Sequence, residues 1–167
     1  MNRCIVGIDP GLTGGWAVLT QAGAIIDCGD LPVVGDGARR ALSAPLLAAI
    51  ISRHMPSTAV IERVGAMPGQ GVSSTFKFGH AAGLIEGVLG AMAVPVMHVA
   101  PAVWKRHHGL GPEKERARQR AIEIWPAKAA ELFARVKDHN RAEAALIALW
   151  GTRAAILSGA VAAGRGI

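Results

Sequence analysis

The chain has 167 residues, 51% of them hydrophobic and 18% charged, and its 18 Lys and Arg against 12 Asp and Glu leave a net charge of +6. This length suits a single domain over residues 1–167. The apolar fraction supports a packed core and excludes an intrinsically disordered chain, while the basic surplus points to an anionic partner, nucleic acid before membrane surface. Only two cysteines are present, Cys4 and Cys28, without metal-type spacing, which argues against a disulfide scaffold and a structural zinc site. No apolar run reaches the roughly 18 residues of a membrane span; the stretch from Leu84 to Val99 is broken by Glu86 and Pro95. The N-terminus lacks the apolar region and cleavage site of a signal peptide, so the expected setting is intracellular, soluble and reducing. Thirteen of the basic residues are Arg, whose planar fork suits phosphate, but a chain this rich in Ala, Gly and Arg also reflects a GC-rich genome, so charge alone does not decide function.

In chain order, Cys4–Ile8 is a short apolar run closed by the turn Asp9-Pro10-Gly11, which predicts a buried strand. Gly14–Leu19 and Ala24–Gly29 predict two more strands, separated by the break Gln21-Ala22-Gly23, and together the three suggest an antiparallel meander. The segment Arg39–His54 has helical apolar spacing through Leu42, Leu46, Leu47, Ile50 and Ile51. Ala59–Ile61 predicts a buried strand ending at Glu62, followed by a Gly/Pro-rich loop from Gly65 to Gly71. A helix capped by Ser73 or Ser74 runs to about Met92, and Val94–Val99 predicts a last strand. One or two helices fill the basic segment Val103–Lys137, and an apolar helix starts near Asp138 and passes through Glu143 and Trp150. The Ala/Gly-rich stretch Thr152–Ile167 reads as a less ordered tail. The order predicts an α/β layered domain with a mixed sheet.

The carboxylates carry the first chemical signal. Glu113, Glu115, Glu123 and Glu131 lie among Arg and Lys on helical stretches and read as solvated ion-pair partners. Asp9, Glu62, Asp138 and Glu143 are each flanked by apolar sequence. Charges are rarely buried unless paired or bound to metal, and carboxylates converging on one sheet end would repel unless a hard divalent cation relieved them. Two such ions can activate a water and stabilise the leaving oxygen in phosphodiester cleavage. Each residue also has an ordinary reading: a turn for Asp9, a surface pair for Glu62 beside Arg63, a helix cap for Asp138, a helix surface for Glu143.

These residues resemble the RuvC-type Holliday junction resolvases of the ribonuclease H-like superfamily, most closely their phage-like branch. The resemblance rests on Ile8-Asp9-Pro10-Gly11-Leu12-Thr13-Gly14-Gly15, Val60-Ile61-Glu62-Arg63, Phe76-Lys77-Phe78-Gly79-His80-Ala81-Ala82-Gly83, Pro101–Arg106 with Gly111–Lys114, and Arg141–Ala148, in that order. It implies a ribonuclease H-like fold with a mixed five-stranded sheet and helices on both faces. It also implies a structure-selective endodeoxyribonuclease that cuts four-way DNA junctions by two-metal hydrolysis, with Mg²⁺ as cofactor and Mn²⁺ as the alternative. A homodimer acting on branched DNA in a bacterial or phage-infected cytoplasm goes with it, as does, for the runner-up, a less specific branched- or single-strand nuclease of the same fold. Metal ligation is implied for Asp9, Glu62 and Glu143. For the fourth ligand the candidates are Asp138 and His139; His139 shares a helical face with Glu143, whereas Asp138 reaches the site only if the helix begins after it. Lys105, Arg106 and Lys114 are implied in DNA contact, Lys105 also in catalysis.

Cellular members of the family carry an aromatic soon after the second acidic residue, where this chain has Arg63-Val64-Gly65-Ala66-Met67-Pro68, leaving Met67 as the candidate apolar wedge. Residues 103–141 hold ten Lys and Arg and five Asp and Glu, hence +5 of the net +6, and predict salt-dependent phosphate binding. Gly79, Gly83 and Gly87 recur every four residues; they imply either tight packing on the sheet or a dimer-forming helix. Actin-like sugar kinases and ATPases also place an Asp and glycines after a strand, but they need two domains and a longer chain. A DNA-binding module without catalysis is disfavoured by the intact acidic residues.

Overall fold

A computed structural model of the chain describes residues 4–63, 65, 69, 71–111 and 114–163. Strands β1 (Cys4–Asp9), β2 (Gly15–Thr20) and β3 (Ile25–Asp30) form the expected antiparallel meander. A two-residue ribbon, β4 (Val33–Val34) with β5 (Ala41–Leu42), precedes helix α1 (Ala44–His54). Strand β6 (Thr58–Glu62), helix α2 (Val72–Ala91) and strand β7 (Val96–Val99) follow. Helices α3 (Pro101–His107), α4 (Lys114–Ile124), α5 (Ala129–Leu132) and α6 (His139–Ala163) complete the chain. The main sheet has the order β3-β2-β1-β6-β7, antiparallel through the meander and parallel from β1 to β6 and β7.

Side-chain alternation divides the interior into two cores. Val6, Ile8, Ala59 and Ile61 pack on the side of α1 and α2, while Ile5, Val60 and Val99 pack on the side of α6. Both faces of β1 are therefore covered, which is why Cys4–Ile8 reads as a continuous apolar run and not as alternation. Helix α6 lies against the sheet at very short range. A Cβ on Gly7 would sit 2.2 Å from the Ala144 carbonyl oxygen, one on Gly15 2.7 Å from that of Asn140, and one on Gly151 2.4 Å from Val60 Cγ2. The helix thus descends from residue 151 at the start of β1 to residue 140 at its end, antiparallel to the strand. Its first turns lie over the carboxyl ends of β1 and β6.

Two expectations are corrected. The helix predicted from Arg39 begins only at Ala44, because Ser43 Oγ accepts the Leu46 N–H and Pro45 sets the first turn; Leu42, counted on the helical face, belongs to β5. Helix α6 runs past Thr152 to Ala163. Gly79, Gly83 and Gly87 do not pack on the sheet: all three are exposed, and a Cβ at each would meet nothing within 4 Å. Among the described residues no helix is long and apolar enough to cross a membrane.

Candidate active site

Ile8 pairs with Ile61, so Asp9 and Glu62, one residue further on, end neighbouring parallel strands side by side. Alternation sends both toward α6, since Ile5 and Gly7 on β1 and Val60 on β6 face that helix. Glu143 lies on the first turns of α6 and is only 8% exposed. Parallel strands with helical crossovers bring such side chains to the carboxyl end of the sheet, where open α/β sheets bind ligands.

β7 contributes the next element. Val99 pairs with Glu62, and α3 starts immediately after it at Pro101. One turn into α3, Trp104 is fully buried, so its indole N–H needs an acceptor; it donates to Glu62 Oε1 at 2.9 Å. Lys105 Nζ lies 3.7 Å from Glu143 Oε1 and 5.3 Å above the Trp104 ring. Burial pushes the Glu62 carboxyl above its ordinary range. The Trp104 hydrogen bond opposes this, the Glu143 charge adds to it and Lys105 opposes it. Glu62, Trp104, Lys105 and Glu143 are therefore one electrostatic unit. Arg106 is exposed beside Lys105 and lines a shallow groove with Gly109 and Leu110. Lys114 opens α4, and Met67 lies outside the described residues.

Asp138 is not brought to this cluster. Its carboxylate accepts the Arg135 backbone N–H at 2.8 Å and the Arg135 guanidinium at 2.7 and 3.0 Å, and Arg141 stands 3.8 Å away. Burial pushes the Asp138 carboxyl up, but the Arg135 donors and the Arg141 charge outweigh it and hold it below its ordinary value. Arg141 in turn grips Asp30 on β3 through two bonds of 2.7 and 2.8 Å. Asp138 thus serves the entry to α6, linked through Arg141 to Asp30 on β3. His139 Nδ1 contacts the Val136 carbonyl at 3.1 Å, and His139 lines a cleft with Thr13, Asp30, Leu31, Lys137 and Asn140, so it too stands near the end of β3. Asn140 Nδ2 donates to the Thr13 carbonyl, tying the start of α6 to the turn after β1.

Trp104 carried no expectation of its own, and His108, beside His107 a candidate phosphate contact in the sequence, is buried instead. Trp104 lay within a quoted motif, but no spacing rule connects position 104 with Glu62. His108, 8% exposed, spans from the end of α3 to the Leu146 carbonyl at 2.9 Å and fastens the helix bearing Lys105 to the helix bearing Glu143. Burial is the main reason its pKa falls to about 4, against an ordinary 6.5. The imidazole is neutral in the fold, so between these values the unfolded chain holds a proton that the folded chain lacks. Stability is then complete above about pH 6.5 and falls by about 2–3 kcal/mol as pH drops toward 4. Urea unfolding at pH 7 and pH 4.5 tests this. His108→Gln is expected to lose less stability than wild type over that interval, and parallel losses would show that His108 does not titrate this way.

Asp9, Glu62 and Glu143 offer only hard oxygen donors, the chemistry a divalent cation such as Mg²⁺ selects. The raised Glu62 carboxyl, pushed further by Glu143, is a cost such a cation would relieve. Among the described residues no three His, Cys, Asp or Glu are positioned to share one ion. Glu62 and Glu143 are instead each held by their own donor, Trp104 and Lys105.

A mixed five-stranded sheet with its first three strands antiparallel, two parallel strands beyond them and helices on both faces is the ribonuclease H-like fold. Solved Holliday junction resolvases share this fold with the chain. It superposes on Thermus thermophilus RuvC in complex with Holliday junction substrate with a TM-score of 0.63 at 15% identity, covering 92% of this chain and 96% of that one. A second T. thermophilus RuvC structure gives 0.58 at 20% identity with the same coverage. The yeast mitochondrial Holliday junction resolvase Ydc2 gives 0.60 at 14% identity, over 91% of this chain and 80% of that one. No family model matches the sequence, and no curated protein does. At these identities the likeness is one of fold.

Proposed function

We propose that this chain is a structure-selective endodeoxyribonuclease that cuts four-way DNA junctions by metal-assisted phosphodiester hydrolysis. The observation that carries the reading is the placing of Asp9 and Glu62 at adjacent strand ends beneath Glu143 and beside Lys105, on the architecture of the junction resolvases. Asp9, Glu62 and Glu143 would hold the divalent cation, Mg²⁺ with Mn²⁺ as the alternative, and His139 is the remaining candidate for a fourth contact because Asp138 is engaged by Arg135. When bound, such an ion lowers the pKa of water and offsets charge on the scissile phosphate. Trp104 fixes the rotamer of Glu62, and Lys105, held over the Trp104 ring, supplies positive charge where the phosphate gains negative charge. Arg106 extends the basic surface toward the DNA backbone, and Lys114, the first residue of α4, is assigned a DNA contact as well. The open glycine face of α2 would let two copies approach closely around a two-fold axis, matching the two symmetric strands of a junction. The chain would work in the cytoplasm of a bacterium or phage-infected cell.

The test is cleavage of a synthetic four-way junction with and without Mg²⁺, beside a flap and a linear duplex. Junction-selective, metal-dependent nicking supports the reading. Equal cutting of flaps and junctions would favour the less selective nuclease, and no cutting of any substrate would overturn catalysis.

Lys105→Ala should slow single-turnover junction cleavage by about 10²-fold, the size of losing one well-placed transition-state charge. Asp27→Ala, on β3 beside His54 at 3.3 Å, should stay within about twofold, as remote surface changes do. Equal rates for the two variants would remove Lys105 from the site.

A further inference from the structure

Helix α3 meets the carboxylates and α6 through three side chains, and they are held in different ways. Trp104 Nε1 is bonded to Glu62 Oε1 at 2.9 Å, and the His108 imidazole, one turn later, to the Leu146 carbonyl at 2.9 Å. The backbone between them is closed too, since the Leu110 N–H donates to the Lys105 carbonyl at 2.9 Å. The Lys105 side chain has no such bond. A charge-assisted N–H···O bond spans about 2.7–2.9 Å. Lys105 Nζ stands 3.7 Å from Glu143 Oε1, and its other support is the face of the Trp104 ring. It is held by attraction to one charge, and rotation about its four-carbon stem moves it without moving α3.

The same side chain lines a groove of about 500 Å³ with Ala102, Arg106, Gly109, Leu110 and Gly111. No acidic residue borders this groove, and the exposed Arg106 has no acidic partner among the described residues. Lys105 therefore has two places for one charge: beside Glu143, or in the groove beside Arg106. A divalent cation on Glu143 would cancel the attraction that holds Lys105 and repel its ammonium. We propose that the groove along α3 is a site for a backbone phosphate of junction DNA and that Glu143 gates it. While Glu143 is bare, it withholds Lys105 from the groove; when a divalent cation occupies the carboxylates, Lys105 joins Arg106 on the phosphate. This rests on the junction-nuclease reading and deepens it, because it makes metal and DNA binding cooperative. The coupling is reciprocal: the factor by which the cation strengthens DNA binding is the factor by which DNA strengthens cation binding.

The experiment measures binding of a four-way junction over a range of salt, in EDTA and in Ca²⁺ in place of Mg²⁺, and Ca²⁺ binding to the free protein by calorimetry. It compares wild type with Lys105→Met, which keeps an unbranched stem over Trp104, with Glu143→Gln, and with the double variant. In EDTA, Lys105→Met is expected to bind the junction as wild type does. In Ca²⁺ it should bind about tenfold more weakly, with a salt slope smaller by about one, the loss of a single phosphate contact. Without the competing ammonium, free Lys105→Met should bind Ca²⁺ about fivefold tighter than wild type, a modest coupling between sites. Glu143→Gln should bind the junction about tenfold tighter than wild type in EDTA, and the double variant should lose that gain. A gain that survives in the double variant would mean that Glu143 only repels DNA, and would overturn the gate. Equal losses for Lys105→Met in EDTA and Ca²⁺ would overturn it as well, and no loss in either would overturn the phosphate site. Failure of wild type to bind any branched DNA is a different result and would remove the junction reading itself. The Ca²⁺ affinities need no DNA, and equal values for wild type and Lys105→Met would by themselves overturn the hold of Glu143 on Lys105.

Discussion

Asp9→Asn is expected to reduce junction cleavage by about 10³-fold or more while leaving junction affinity nearly intact. The substitution keeps the size and polarity of the side chain at the end of β1, and so the turn into Pro10 and Gly11, but removes its charge. A carboxylate that holds a divalent cation contributes several kcal/mol to the transition state, and each 1.4 kcal/mol is about tenfold in rate. Affinity has another source. It comes from phosphate contacts by basic side chains spread over α3, α4 and the segment before α1, and one fewer negative charge at the surface does not weaken them. Single-turnover cleavage and a Ca²⁺ binding assay on the same junction separate the two quantities. Cleavage within tenfold of wild type would take Asp9 out of the catalytic centre. Loss of binding in step with cleavage would mean that the substitution damages the fold, which circular dichroism would reveal.

Gly7→Ala should be the most destabilising single methyl addition in the sheet. The new Cβ would stand 2.2 Å from the Ala144 carbonyl oxygen, 2.5 Å from the Ala148 backbone nitrogen and 2.8 Å from its Cβ. Two of these neighbours are helix backbone, which cannot rotate aside as a long side chain can. Helix α6 has to lift off β1, opening the fully buried contacts of Ala144, Ala145 and Ala148. Overpacking of a tight core typically costs about 1–3 kcal/mol, and rigid backbone neighbours put this case at about 3 kcal/mol or more, a fall of about 10 °C in Tm for a chain of this size. Cleavage should fall as well, because Glu143 rides on the displaced helix. Gly90→Ala is the control: it lies on the exposed face of α2 with nothing within 4 Å, and should be neutral or stabilising by up to about 1 kcal/mol. Thermal unfolding of the three proteins decides the matter; equal midpoints for Gly7→Ala and wild type would mean that α6 does not bear on β1 as closely as the structure has it.

The sequence by itself determined the meander, the two parallel strands and the helical crossovers, because apolar runs of strand length punctuated by Gly and Pro are local signals. It also marked Asp9 and Glu62 as residues ending buried strands, since a charge directly after an uninterrupted apolar run marks where the chain leaves the core. What it could not determine depends on contacts between distant segments. The start of α1 turned on a cap at Ser43 competing with a short ribbon that pairs residues 33–34 with 41–42. Asp138 and His139 were indistinguishable in spacing until Arg135 and Arg141 were seen to surround the first of them. The repeat of Gly79, Gly83 and Gly87 has the same period whether it faces sheet or solvent, and only the packing of Ala81, Ile85 and Leu89 inward turned the glycines outward. Trp104 meets Glu62 across 42 residues through the pairing of β6 with β7, and Arg40 and Phe76, 36 residues apart, line one cavity. Chain periodicity reports which side of an element is buried; the tertiary fold alone decides what stands opposite it.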